Sequence, residues 1–163
     1  MQALRKDKQL SRSVAITLGK IGPEAKAGIP VLVDLLKDEK NEVRVQAAVA
    51  VWRIDRQKDI ALPVLRSALS DTKAYVRVQA ARGLWVMGQD KDKVIEVLIE
   101  ILKGKDSYEC YMAATALGEI GTDAKVAVPV LIDMLGAWDD FDQKVAKALK
   151  RIDPTAAAAA GVP

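Results

Sequence analysis

The sequence predicts an all-α fold: a right-handed α-solenoid of about four and a half two-helix repeats with a 33-residue period. Three observations carry that prediction. Residues 18–36, LGKIGPEAKAGIPVLVDLL, return almost unchanged as residues 117–135, LGEIGTDAKVAVPVLIDML, 99 residues further on. Pro30, Pro63 and Pro129 fall in one 33-residue frame, with Glu96 in the remaining slot. The apolar half of the chain is mostly Ala, Val, Leu and Ile, with 4% aromatics and one Phe, which suits short helices packed closely rather than a sandwich or barrel. A single helical hairpin cannot bury its apolar face alone, so a repeat of this length implies stacking.

The units run approximately over residues 1–22 (partial), 23–55, 56–88, 89–121 and 122–153 of a single solenoid, residues 1–153. Residues 1–9 stand where only the end of a first helix fits. From Leu10, the spacing of Leu10, Val14, Leu18 and Ile21 puts four apolar side chains on one face of a second helix, which Gly22 and Pro23 end. The next unit has Pro23 and Glu24 in its first turn and an apolar stripe of Ile29, Leu32, Leu35 and Leu36. Pro30 lies inside this helix and is expected to bend it, as are Pro63 and Pro129 in theirs. After the turn at residues 38–41, Val43, Ala47, Val51 and Ile54 face the first helix.

The third unit repeats the pattern with residues 60–69, a turn at 70–73, then Val76, Ala80, Leu84 and Met87 before Gly88. The fourth has Val94, Ile95, Leu98, Ile101 and Leu102, then Ala113, Leu117 and Ile120 before Gly121. The fifth has Val128, Leu131, Met134 and Leu135, then Phe141, Val145, Leu149 and Ile152 after a one-residue slip at the connector Gly136-Ala137. Its last helix carries Lys144, Lys147, Lys150 and Arg151, as a water-facing cap should. The Ala-rich tail, residues 154–163, has no apolar period and is expected to be flexible.

Composition narrows the chemistry. The chain has no His, hence neither the usual general base near neutral pH nor the commonest metal ligand, and with one Cys it has no zinc site of ordinary type. No GxGxxG or GxxxxGK[ST] motif is present to cradle phosphate. No metal or cofactor is expected. Cys110 cannot form an internal disulfide, and no apolar run reaches the roughly 18 residues of a membrane span. These features predict a soluble, cytoplasmic protein. The net charge of +3 is split: residues 1–88 carry 16 Lys and Arg against 9 Asp and Glu, whereas residues 89–163 carry 9 against 13. Neither half has the dense basic stripe of a nucleic-acid binder.

The Pro30, Pro63 and Pro129 slots, the Leu-x-x-Ile-Gly helix ends at residues 18–22 and 117–121, and an Asp followed six residues later by Arg resemble the HEAT-repeat family. The resemblance is to the short HEAT-like repeats of the phycobilisome-lyase type, and it covers residues 10–153. The Asp and Arg recur as Asp38 with Arg44 and Asp71 with Arg77, while the fourth unit has Gly104 and Cys110 in those slots. The resemblance implies that these pairs tie the inter-helix turn to its neighbour and that the ladder breaks at Gly104. It also implies that the second helices line the inner, concave side of the stack. The family spans scaffolds, transport receptors, some lyases and DNA-repair enzymes, so the fold alone does not settle function.

The candidate contact surface is centred on Trp52 and Trp85, one period apart where the other units have Gly19, Gly118 and Lys150. At 100° per residue Trp52 falls about 180° from Val43, opposite the buried stripe. That face also carries Val45 and Val49, Val78 and Arg82, and Tyr111 and Thr115, with Arg53 alongside. Large aromatics beside arginines are typical anchors of protein interfaces. The same indoles could instead fill gaps between successive second helices, and both readings stay open. Cys110 is expected to be a buried, inert thiol, and Asp139, Asp140 and Asp142 to cap the last second helix.

The resulting expectation is a non-catalytic protein–protein interaction scaffold that binds a protein or peptide on its concave face. A bilin-lyase-like subunit or chaperone is the alternative that the repeat subtype implies, and a HEAT-like DNA-binding or glycosylase-type protein is a second. The apolar side of the first second-helix, at Val14, Leu18 and Ile21, is a further expected contact edge.

Overall fold

The computed structural model describes residues 8–136 and 142–162. Of the expected end of a first helix over residues 1–9, residues 1–7 lie outside the described residues, as do Ala137 of the last connector, Asp139, Asp140 and Phe141, while residues 8 and 9 belong to the helix that follows. Every regular element among those described is a helix, in the hairpin order of an α-solenoid. The chain divides into two compact units, residues 1–87 and 88–163, close to the boundary expected between the third and fourth repeats.

The first unit contains α1 (Lys8–Ile21), a 3₁₀ segment (Gly22–Gly28), α2 (Ile29–Leu35), α3 (Asn41–Asp55), α4 (Lys58–Ala68) and α5 (Ala74–Val86). Its centre is α3, which packs on α1, the 3₁₀ segment, α2, α4 and α5. Leu32 and Leu35 of α2 and Ala15 of α1 join Val43, Ala47, Val51 and Ile54 of α3 in one buried cluster, with Leu18 and Ile29 packed on it. Four of the apolar positions expected on α3, and Val76, Ala80, Leu84 and Met87 of the third unit, are thus in the interior.

The second unit contains α6 (Lys91–Leu102), α7 (Ser107–Ile120), a second 3₁₀ segment (Gly121–Ala127), α8 (Val128–Asp133), α9 (Asp142–Ile152) and α10 (Pro154–Ala159). Here α7 packs on α6 and on α9, repeating the side-by-side arrangement of second helices. Leu98, Leu117, Leu131, Leu149 and Ile152 are its fully buried large side chains.

Three sequence expectations are corrected. Pro30 and Pro129 do not bend a helix from within: each stands in the first turn of α2 or α8, where the missing N–H has no helical partner to lose. The break comes earlier, at Ala25 and Ala124, whose φ/ψ of −84°/17° and −91°/18° are non-helical. Only Pro63 sits inside a helix, α4. The inward positions of α1 are also offset: Ser11, Ala15 and Gly19 are buried, whereas Leu10 and Ile21 are exposed and Val14 and Leu18 half-buried. The reason is that α1 packs on α3 through its small residues. A Cβ placed on Gly19 would lie 3.1 Å from both Cα and Cβ of Ala50.

The tail is the third correction. Residues 154–159 form α10 rather than a flexible segment. Asp153 caps the helix, its Oδ1 accepting from the backbone N–H of Thr155 at 3.1 Å and Ala156 at 3.0 Å, Pro154 opens it, and Ala157 is buried. Alanine has no apolar periodicity to read, yet it is the strongest helix former, and the Asp-Pro start supplies the cap.

Candidate functional site

The turns between paired helices set the register of the second helices. In the second repeat Arg44 Nη1 donates to the backbone carbonyls of Asp38 (2.6 Å) and Glu39 (3.0 Å), and in the third Arg77 Nη1 donates to those of Asp71 (2.8 Å) and Thr72 (3.2 Å). The aspartates serve the turn separately: Asp38 Oδ1 accepts from Lys40 N at 2.9 Å and Asp71 Oδ1 from Lys73 N at 2.8 Å. The link between successive turns is Asn41, whose side-chain amide donates to Asp71 and whose Oδ1 accepts from Arg44. Lys73 adds an ion pair to Glu42 at 2.5 Å, which holds the Glu42 carboxyl below the usual carboxylate range and pushes Lys73 up.

The fourth repeat keeps this geometry with different chemistry. Cys110 stands 33 residues after Arg77, is fully buried, and its Sγ lies 3.4 Å from the carbonyl oxygen of Leu102 and 3.6 Å from those of Ile101 and Gly104. The thiol donates to the turn where the other repeats use a guanidinium. Burial, reinforced by Asp106 and Glu109, raises its pKa, so the thiolate needed for nucleophilic or redox chemistry is suppressed.

With the second helices held in this way, the expected contact residues separate into two groups. Val45 and Val78 are interior, with exposures of 1% and 0%, and do not belong to an accessible face. The second helix α3 has α1 on one side and α5 on the other, so its buried arc exceeds one stripe. Val78 is the equivalent residue of α5, which packs on α3 and α4. Arg12 of α1 occupies the position equivalent to Val45 and reaches the Tyr75 hydroxyl on α5, its guanidinium carbon 4.8 Å from the ring centroid. Arg12 thereby links α1 to α5, the two second helices that pack on α3.

The other group remains at the surface of the first unit. Trp52, Trp85, Val49 and Arg82 are half-buried and Arg53 is exposed. Arg56, which sequence reasoning missed, ends α3 in the left-handed region at φ 54° and folds its guanidinium back to 5.0 Å from the Trp52 ring centroid. The available signal was Asp55, which stands where Gly22, Gly88 and Gly121 recur and lets α3 run on to Arg56. The Trp52 Nε1 is buried with no hydrogen-bond acceptor among the described residues. Val86, 57% exposed, adjoins Trp85.

The family model described as HEAT repeats matches residues 1–84 and again residues 62–150. The chain belongs to the HEAT-repeat family. The match is to HEAT repeats in general and does not extend to the phycobilisome-lyase subtype. A crystal structure of an engineered protein is similar to this chain, at 27% identity over 95% of this chain and 80% of that one, with a TM-score of 0.56. No curated protein matches it. No helix among the described residues is long and apolar enough to cross a membrane.

The second unit carries Tyr111 and Thr115 on α7, both half-buried, at the HEAT positions expected to make contacts. There the repeat position filled by Trp52 and Trp85 is Gly118, and a Cβ on it would sit 3.0 Å from Ala148 Cα and 3.1 Å from Ala148 Cβ. Glycine lets α7 and α9 meet backbone to backbone and leaves a groove of about 200 Å³ where an indole would stand. Tyr111, Thr115, Lys144, Lys147 and Arg151 line it. Lys144 Nζ lies 5.8 Å from the Tyr111 ring centroid, and Tyr108 stacks on Tyr111 at 6.2 Å and 17°. The cations of α9 read in sequence as a solvated cap, and the slip to a 32-residue spacing hid their register with Tyr111.

Proposed function

We propose that this HEAT-repeat chain is a non-catalytic protein-binding scaffold whose partner is gripped by the second-helix face, the concave side in this family. In the first unit Trp52 and Trp85 are the anchors, with Val49, Arg53 and Arg82 around them. In the second unit Tyr111 and Thr115 contribute. The observation that carries this reading is that Trp52 and Trp85 are half-buried rather than sealed in the core, with the Arg56 guanidinium over the Trp52 ring. Rigid aromatics beside arginines supply much contact area at low entropy cost.

The test places a photo-crosslinking amino acid at position 49, on this face, or at position 60, on the exposed start of α4, and irradiates the protein in extract from its own source. Adducts from position 49 that vanish in a Trp52→Ala, Trp85→Ala variant of unchanged helicity support the reading. Adducts from position 60 alone, or a double variant that loses its melting transition yet still binds through its folded fraction, would assign the indoles to packing instead.

A further inference from the structure

The groove on the second unit is walled by two helices, α7 and α9, of different chemistry. Its α7 wall is aromatic and hydroxylic through Tyr111 and Thr115, with one carboxylate, Glu119, and its α9 wall carries three cations, Lys144, Lys147 and Arg151. At about 200 Å³ it is smaller than the cavities that enclose cofactors and suits side chains presented by a chain lying along it. We propose that it is a docking site for an extended acidic peptide segment of a partner protein, whose alternate carboxylates meet Lys147 and Arg151 and whose apolar side chain stacks on Tyr111. The proposal deepens the scaffold reading by naming a partner class, and it rests on that reading for the role of the second helices.

Spacing supports this occupant. Lys147 and Arg151 are four residues apart on α9, hence about 6 Å along the helix axis. Alternate side chains of an extended peptide project to the same side every roughly 6.6 Å, so two carboxylates at i and i+2 match the two cations. Lys144 completes the row beside the Tyr111 ring, where an aromatic or aliphatic side chain gains both stacking and cation–π contact. Tyr108, 65% exposed and stacked on Tyr111, extends the aromatic platform beyond the groove.

The row is local. Residues 88–163 as a whole carry 9 Lys and Arg against 13 Asp and Glu, and Glu119 lines the groove together with Arg151. A long polyphosphate strand would leave the cationic row for an acidic unit, whereas a short acidic segment fits within it. Charge complementarity therefore favours a peptide over a nucleic acid.

The test is fluorescence anisotropy of the full chain with a short labelled peptide of alternating Glu and Ala ending in Phe. A Gln-for-Glu version and a single-stranded oligonucleotide serve as competing probes. The Glu peptide should bind, lose affinity as salt rises, and weaken about tenfold or more with Lys147→Glu, Arg151→Glu, both surface positions, at unchanged circular dichroism. Lys147→Gln, Arg151→Gln should fall between, and Trp52→Ala, Trp85→Ala should leave this binding intact. Equal binding of the Gln peptide, indifference to both α9 variants, or tighter α9-dependent binding of the oligonucleotide would each overturn the proposal. If the Glu peptide fails to bind while position 49 still crosslinks a partner, the scaffold reading stands and the acidic-peptide site falls.

Discussion

At the scale of single residues, one repeat position decides what each second helix presents. Gly19 and Gly118 let neighbouring helices touch at Ala50 and Ala148, while Trp52 and Trp85 at the same position put a large ring at the surface. Gly118→Ala tests how tight that contact is. In an open helix the change would gain about 1 kcal/mol of helix propensity. Here the new methyl meets a backbone Cα at 3.0 Å, which cannot rotate away, and overpacking of this kind costs about 1–3 kcal/mol. A net loss is expected, read as a lower urea midpoint at unchanged m-value, and a stabilised variant would contradict the close approach. Cys110 gives a second residue-level expectation. Because its thiol is buried, hydrogen-bonded to turn carbonyls and raised in pKa, a thiol reagent at neutral pH should label it only as the protein unfolds. Rapid labelling of the native protein would show that the turn is open.

At the scale of elements, the connections between repeats are where charge matters. The Glu42 carboxylate in the first turn of α3 and the Lys73 ammonium at the start of α5 join neighbouring repeats. Glu42 has a depressed pKa in the folded protein, so its contribution is present above the ordinary carboxylate range and is lost as pH falls through the folded value. Lys73 is raised, so its contribution is complete below the ordinary lysine value and disappears only as pH climbs through the folded one, above about 10.4. Glu42→Gln should therefore flatten the decline in melting temperature between about pH 5 and pH 3 and change little between pH 6 and 9. An unchanged acid limb would mean that the pair does not hold the repeats together in solution. The helix ends follow the same local logic: Asp106 Oδ1 accepts from Glu109 N at 2.9 Å at the start of α7, as Asp153 does for α10. The first of these has the ordinary capping pattern, whereas the second is masked in sequence by an alanine run.

At the scale of the whole molecule, the period made the helix pairs legible before any coordinate, because 33-residue equivalents must occupy equivalent places in a stack. Val43, Val76 and Leu117 each follow from that rule and from a 3.6-residue stripe. What the period could not give was the second contact surface of α3, which packs between α1 and α5 and buries Val45, or the side-chain register after the one-residue slip, which sets Lys144 beside Tyr111. Nor does a residue type announce that a thiol can replace a guanidinium at Cys110. The same quasi-one-dimensional logic has an energetic consequence. Leu149 is fully buried in α9, which packs on α7, the second 3₁₀ segment, α8 and α10, all within the second unit. Leu149→Ala should cost about 2–5 kcal/mol. In a stack stabilised by nearest neighbours, that loss belongs to the repeats that touch it. Hydrogen exchange should therefore quicken in α7, α9 and α10 while amides of α1 to α3 keep their wild-type protection. A uniform loss of protection along the chain would mean that the helices unfold as one cooperative block and would overturn the nearest-neighbour expectation.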